Sequence, residues 1–92
     1  MPKTVVLSAK ARQNIDEILA NVVEYTGAVS SGHKLLKAFY TKFNDIGFLP
    51  KAYRQLDDGT RQAFCRSYRI VYQEFEKHIE ILTVIHSRQQ YP

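Results

Sequence analysis

Arginine, histidine and tyrosine collect in the last third of the chain, within Arg61–Tyr91: RQAFCRSYRIVYQEFEKHIEILTVIHSRQQY. Arg61, Arg66, Arg69, His86, Arg88 and Tyr91 are the residues whose types could do chemistry together. Arginine grips phosphate or carboxylate through a planar fork of donors. A histidine or tyrosine beside it moves a proton. Applied to RNA, this set would cleave the strand, with arginine stabilising the charged phosphorane. Two plainer readings stand beside that one: arginines solvated on the open face of a sheet, or a basic groove that grips an acidic partner segment.

Other chemistries find no support in the spacing. His33, His78 and His86 are far apart in sequence, without partners at ligand spacing, so no metal site is expected. No glycine-rich phosphate loop is present, and no Ser-His-Asp or Cys-His arrangement follows from spacing. The single cysteine, Cys65, excludes an internal disulfide and reads as a small half-buried side chain. No cofactor is implied.

The elements that must position these residues are legible from periodicity. In YRIVYQ, Tyr68, Ile70 and Tyr72 point one way and Arg69, Val71 and Gln73 the other, the period of a strand. Ile79, Ile81, Thr83 and Ile85 form a second strand. Its opposite set, Leu82 and Val84, is also apolar, which places it centrally in a sheet. Glu76 and Lys77 mark a hairpin between the two, and Thr60–Phe64 reads as a further strand reversing near Cys65–Ser67. An antiparallel neighbour starts where its partner ends, so Arg69 is expected to approach His86 and Arg88.

Upstream, Thr4–Leu7 predicts a first strand. Ser8 caps a helix over residues 9–26, with Ile15, Ile18, Leu19, Val22 and Val23 as its apolar stripe, Asp16 and Glu17 near its positive end, and Gly27 as its stop. Ser30 or Ser31 is expected to cap a second helix, whose apolar face runs through Leu35, Leu36, Phe39, Tyr40, Phe43 and Ile46 and which Gly47 and Pro50 end. FLPKAYRQLDDG reads as a connector with an Asp-Asp-Gly turn. The fold expected is α+β: an N-terminal strand, then a helical hairpin packed on a twisted, mainly antiparallel sheet, in the order β-α-α-β-β-β, as a single domain over residues 1–92.

Composition bounds the rest. The chain has 92 residues, 45% hydrophobic and 12% aromatic, which suits one small folded domain. No apolar run is long enough for a membrane span, and the start of the chain lacks the form of a signal peptide, so a cytoplasmic location is expected. The net charge of +4 suits an acidic protein partner or nucleic acid equally. Residues 51–92 hold five of the six arginines, with only Arg12 in the first half.

With YRIVYQ at 68–73 and EILTVIHSRQQYP at 80–92, the chain resembles the RelE/ParE superfamily of toxins from bacterial type II toxin–antitoxin modules. ARQNIDEI at 11–18 is similar to the family's first helix, and Pro50 to its proline after helix two. The resemblance implies a toxin that arrests growth, stabilises plasmids, and is neutralised by a cognate antitoxin. The antitoxin would have an acidic, partly disordered C-terminal segment that wraps the toxin on binding. The superfamily has two branches. RelE-like members cut mRNA on the ribosome; ParE-like members bind DNA gyrase without catalysis of their own.

Arg69 occupies the position of the RelE branch's core arginine, and Arg88 that of its terminal arginine. The RelE lysines are replaced here by positions among Thr60, Gln62 and Phe64, with Arg61 the nearest substitute. His86 and Tyr91 lie five residues apart, where members that pair these residues place them side by side. The ending VIHSRQQYP is more similar to the ParE branch, so gyrase binding is the expected action, with no catalytic residue favoured. Ribosome-dependent mRNA cleavage by Arg69, His86, Arg88, Tyr91 and Arg61 is the alternative. A toxin-like fold that has lost its toxicity is the third. Arg61, Arg66, Arg69, His86, Arg88 and Tyr91 are expected to contact antitoxin or target.

Overall fold

A computed structural model describes residues 2–89. In chain order it contains β1 (Thr4–Leu7), α1 (Ala9–Thr26), α2 (Val29–Phe48), a 3-10 turn at Pro50–Ala52, β2 (Arg54–Gln55), β3 (Arg61–Cys65), β4 (Tyr68–Glu74) and β5 (His78–His86). The strands form one five-stranded sheet in the order β1-β5-β4-β3-β2. Only β1 and β5 pair in parallel, so the sheet is mixed but mainly antiparallel, as the sequence predicts. β5 lies inside the sheet, in keeping with its apolar residues on both sides.

The first helix matches its sequence signals. The Ser8 hydroxyl accepts from the Ala11 amide at 3.0 Å, satisfying one of the free donors of the first turn. The same hydroxyl donates to the Leu82 carbonyl at 2.9 Å, so the cap also pins the helix start to β5. Gly27 closes the helix in the left-handed region at φ 70°, which a side chain would disfavour. Asp16 and Glu17 fall outside the first turn, where the helix dipole has little hold on them.

The second helix differs from expectation at both ends. Gly27 reverses the chain so tightly that α2 starts at Val29, with Ala28 as a cap lacking a side-chain bond; Ser30 and Ser31 lie inside the first turn. The Thr26 hydroxyl instead accepts from the Ala28 amide at 3.2 Å. Gly47 does not end the helix, which runs on to Phe48. It is buried, and a Cβ there would lie 3.0 Å from the Lys3 carbonyl oxygen and 3.2 Å from a Val5 methyl. Gly47 is thus a point of close approach, where its carbonyl accepts from the Lys3 amide at 3.0 Å. The connector also holds more structure than its sequence suggests, since Arg54 and Gln55 add a short edge strand to β3.

The core lies between the helical hairpin and one sheet face. Phe39 and Ile46 of α2 and Ile70, Tyr72, Ile79 and Ile81 of the sheet have no exposed surface. Each such side chain contributes roughly 1.5–3 kcal/mol through burial. Phe39 also meets the Tyr68 ring edge-on, with centroids 5.6 Å apart. At one end, Glu74 takes Lys3 and Lys51, both at 2.7 Å, and ties β1 and the connector to β4. The hydrogen bond from Lys3, then that from Lys51, holds the Glu74 carboxyl below its ordinary value.

Candidate functional site

One interruption in the sheet decides where the candidate residues lie. Tyr72 pairs with Ile81 but Val71 pairs with Thr83, leaving Leu82 as an extra residue in β5. A shift of one residue moves everything beyond it to the other face. Below the bulge, Ile79 and Ile81 face the helices; above it, Val84 does. Without Leu82 the extended register would set His86 opposite Ser67, on the side of Arg69. With it, His86 lies opposite Tyr68, on the helix side.

Arg69 and His86 are therefore on opposite faces. Arg69 sits on the open face in the row Phe64–Arg69–Ile85, beside the buried row Gln62–Val71–Thr83. Its guanidinium donates to the Gln62 side-chain oxygen at 3.4 Å and to the Gln89 carbonyl. The chain after β5 makes this possible by turning back, with the Ser87 amide on the Ser67 carbonyl at 2.8 Å. The Arg69 Nε is buried without a partner, the one such side-chain nitrogen or oxygen among the described residues. No carboxylate pairs with Arg69 among the described residues. A buried donor left without a hydrogen bond costs about 1–3 kcal/mol, and a partner that supplied the missing acceptor would recover it.

His86 is exposed and lines a shallow pocket of about 320 Å³ with Tyr68 and residues of α1, including Asn14 and Glu17. Its ring meets Tyr68 edge-on at 5.8 Å, and its Nδ1 accepts from the Arg88 amide at 3.2 Å. Arg88 is exposed beside it. Arg61 lies opposite Tyr72, hence on the helix side, and donates to the Tyr53 carbonyl at 2.8 Å. That bond straps the connector to β3 and takes Arg61 away from any shared site with Arg69. Arg66 stands at the β3–β4 turn with φ 54° and is exposed. Tyr91 lies outside the described residues. The fold thus places Arg88 beside His86 and brings Arg69 to the returning chain, but it does not join Arg69 and His86 as expected, and it leaves Arg61 and Arg66 apart from both.

Two structural participants escaped the sequence reading. Gln62 accepts from Arg69, and the Asn14 side-chain oxygen accepts from the Thr83 hydroxyl at 2.7 Å and the Val84 amide at 3.1 Å, covering the part of β5 that β1 does not reach. Both roles depend on contacts across the fold, for which a lone Gln or Asn gives no sequence signal. Cys65 is buried, and that burial raises its thiol above the ordinary value despite the opposing fields of Lys42 and Arg66. Among the described residues no group of three or more histidine, cysteine or acidic side chains is placed to hold a metal, and no helix is long and apolar enough to cross a membrane.

A family model described as the ParE toxin of type II toxin–antitoxin system, parDE, matches residues 5–91. Among solved structures, a chain of the chromosomal ParDE TA system from P. aeruginosa superposes with a TM-score of 0.80 at 17% identity, covering 91% of this chain and 95% of that one. At this identity the likeness shows the fold. A chain of the toxin–antitoxin complex RelBE2 from Mycobacterium tuberculosis superposes with a TM-score of 0.60 at 25% identity, covering 94% and 99%. No curated protein matches the chain.

Proposed function

We propose that this chain, which belongs to the ParE toxin family of type II toxin–antitoxin systems, acts as a single toxin domain that binds DNA gyrase in the cytoplasm. Capture of one gyrase state would block replication and leave DNA breaks. The observation that carries this reading is the ParE family match over residues 5–91. The register supports it, because Arg69 and His86 on opposite faces do not converge on one phosphate. The endoribonuclease reading keeps one support of its own, the 25% identity to a chain of the RelBE2 complex.

A cognate antitoxin is the second partner. The structural neighbours come from a ParDE system and a RelBE2 toxin–antitoxin complex, and the net charge here suits an acidic segment. Arg69 and Arg88 are its proposed contacts, with a carboxylate or carbonyl completing the Arg69 Nε.

The test uses toxin purified away from antitoxin, in a gyrase supercoiling assay and in a translating extract. Inhibited supercoiling with intact mRNA is the expected result. Codon-linked mRNA cleavage with unaffected gyrase would overturn it. Silence in both assays, together with growth on expression of the toxin alone, would leave a binding protein that has lost its toxicity.

A further inference from the structure

We propose that the lysine-bearing flank of α2, completed by Arg66, is a contact surface for the phosphate backbone of duplex DNA. Lys34 and Lys37 are exposed on the side of α2 away from buried Leu35, Phe39, Phe43 and Ile46, and half-buried Lys42 lies at the edge of that buried face. At 1.5 Å per residue, Lys34 and Lys42 are separated by about 12 Å along the helix. Arg66 enters from the β3–β4 turn, and the four cations line one open groove of about 430 Å³ with Ala38, Thr41 and Asp45. Four positive groups thus share the groove with a single carboxylate.

No ion pair among the described residues neutralises this charge. Both ion pairs among the described residues end on Glu74, at the far end of β4 from Arg66. Lys42 is oriented rather than paired, its Nζ lying 5.5 Å from the centre of the Tyr53 ring. Arg66 is the one non-glycine residue with positive φ among those described. Glycine would fit that position without strain, yet the chain places a guanidinium there.

The lining selects the class of partner. A docked peptide segment needs pockets for apolar anchors. This groove offers only Ala38 and Thr41 between its charges. Three lysines and an arginine around one shallow groove suit contacts with phosphates, which hold a duplex without reading its sequence. The proposal rests on the gyrase reading for its setting, since a toxin on gyrase acts beside DNA, but the binding itself requires no gyrase.

The experiment is fluorescence anisotropy of antitoxin-free toxin with a labelled DNA duplex of about 20 base pairs, at salt from about 50 to 200 mM, where phosphate contacts lose affinity steeply. Three or four contacts predict a log–log salt slope of about −3 to −4. The triple variant Lys34→Glu, Lys37→Glu, Arg66→Glu is expected to bind at least ~10-fold more weakly with a flatter slope. A second triple, Lys10→Glu, Arg12→Glu, Lys77→Glu, makes the same charge change at exposed sites elsewhere and is expected to stay within ~3-fold of wild type. Should the glutamate triple fail to fold, Lys34→Gln, Lys37→Gln, Arg66→Gln replaces it, with the same direction of effect expected.

Absence of duplex binding by the wild type at the lowest salt would overturn the proposal, as would equal losses in the two triples. Loss of antitoxin affinity with DNA binding intact would assign the groove to the antitoxin instead. Tighter binding of a matched RNA duplex would assign it to RNA. The supercoiling assay reads the gyrase proposal separately. Duplex binding without gyrase inhibition leaves this surface standing and that reading fallen; inhibition without duplex binding does the reverse.

Discussion

Tyr72 and Arg69 lie three residues apart on β4 and face opposite sides of the sheet. Each carries polar atoms into a buried setting, with different results. On the helix side the Tyr72 hydroxyl donates to the Pro50 carbonyl, and the side chain has no exposed surface. On the open side Arg69 reaches Gln62 and Gln89 yet keeps a buried Nε without a partner. The helix-side face is completed by the chain's own elements. The open face carries an incomplete polar site, the arrangement expected where another molecule supplies the remaining atoms.

Phe39→Ala should break the completed face most severely. Phe39 is fully buried against Phe43 and Tyr68, and truncation should lower stability by ~3–5 kcal/mol in a denaturant titration. A loss below ~1 kcal/mol would mean that the core repacks freely and that the contrast between faces is weak.

Tyr72→Phe is the intermediate case and adds a pH dependence. Burial first, then nearby Tyr53 and Glu74, push the Tyr72 hydroxyl from 10.0 up to about 12, against the opposing pull of Arg61. The unfolded chain loses this proton at lower pH than the folded chain does. The stabilisation is therefore whole below pH 10.0 and is lost as pH rises towards about 12. Tyr72→Phe should cost roughly 1 kcal/mol at neutral pH through the lost hydrogen bond. It should also melt with a shallower alkaline decline than wild type. Parallel alkaline limbs would remove Tyr72 as their source.

The smallest folding effect is expected on the open face. Arg69→Ala together with Arg88→Ala should change stability by no more than ~1 kcal/mol, since lost contacts offset the removal of an unsatisfied donor. Antitoxin affinity should nevertheless fall by ~10-fold or more in a titration, as truncation of a buried charged contact does. Unchanged affinity would move the antitoxin off this face and leave the unpartnered Arg69 Nε without a role in binding.

The same contrast describes what the sequence made legible. Ser8, Gly27 and the stripe between them mark α1 because caps and helical period are local. Tyr68, Ile70 and Tyr72 mark the core side of β4 because alternation is local too. The location of Arg69 on the opposite side was readable for the same reason. Its neighbours were not, because the extra residue at Leu82 looks like any apolar residue in a strand apolar on both sides. That residue alone moves His86 to the helix side. Gly47, which reads as a helix stop, and Arg61, which reads as a contact for antitoxin or target, serve contacts with Lys3 and Tyr53 that only the assembled fold brings near.

The parallel pairing of β1 with β5 has a consequence for synthesis. Thr4 meets His78 and Leu7 meets Ile81, and β5 is also the partner of β4. The strand that joins β1 to the rest of the sheet is thus made after the other four described strands. Until it emerges, β1 has no strand beside it, and the apolar stripes of α1 and α2 lack much of the surface that covers them. Contacts between residues so distant in sequence form slowly. The row that holds Arg69 and the end that holds His86 therefore take shape only when the sheet closes on β5.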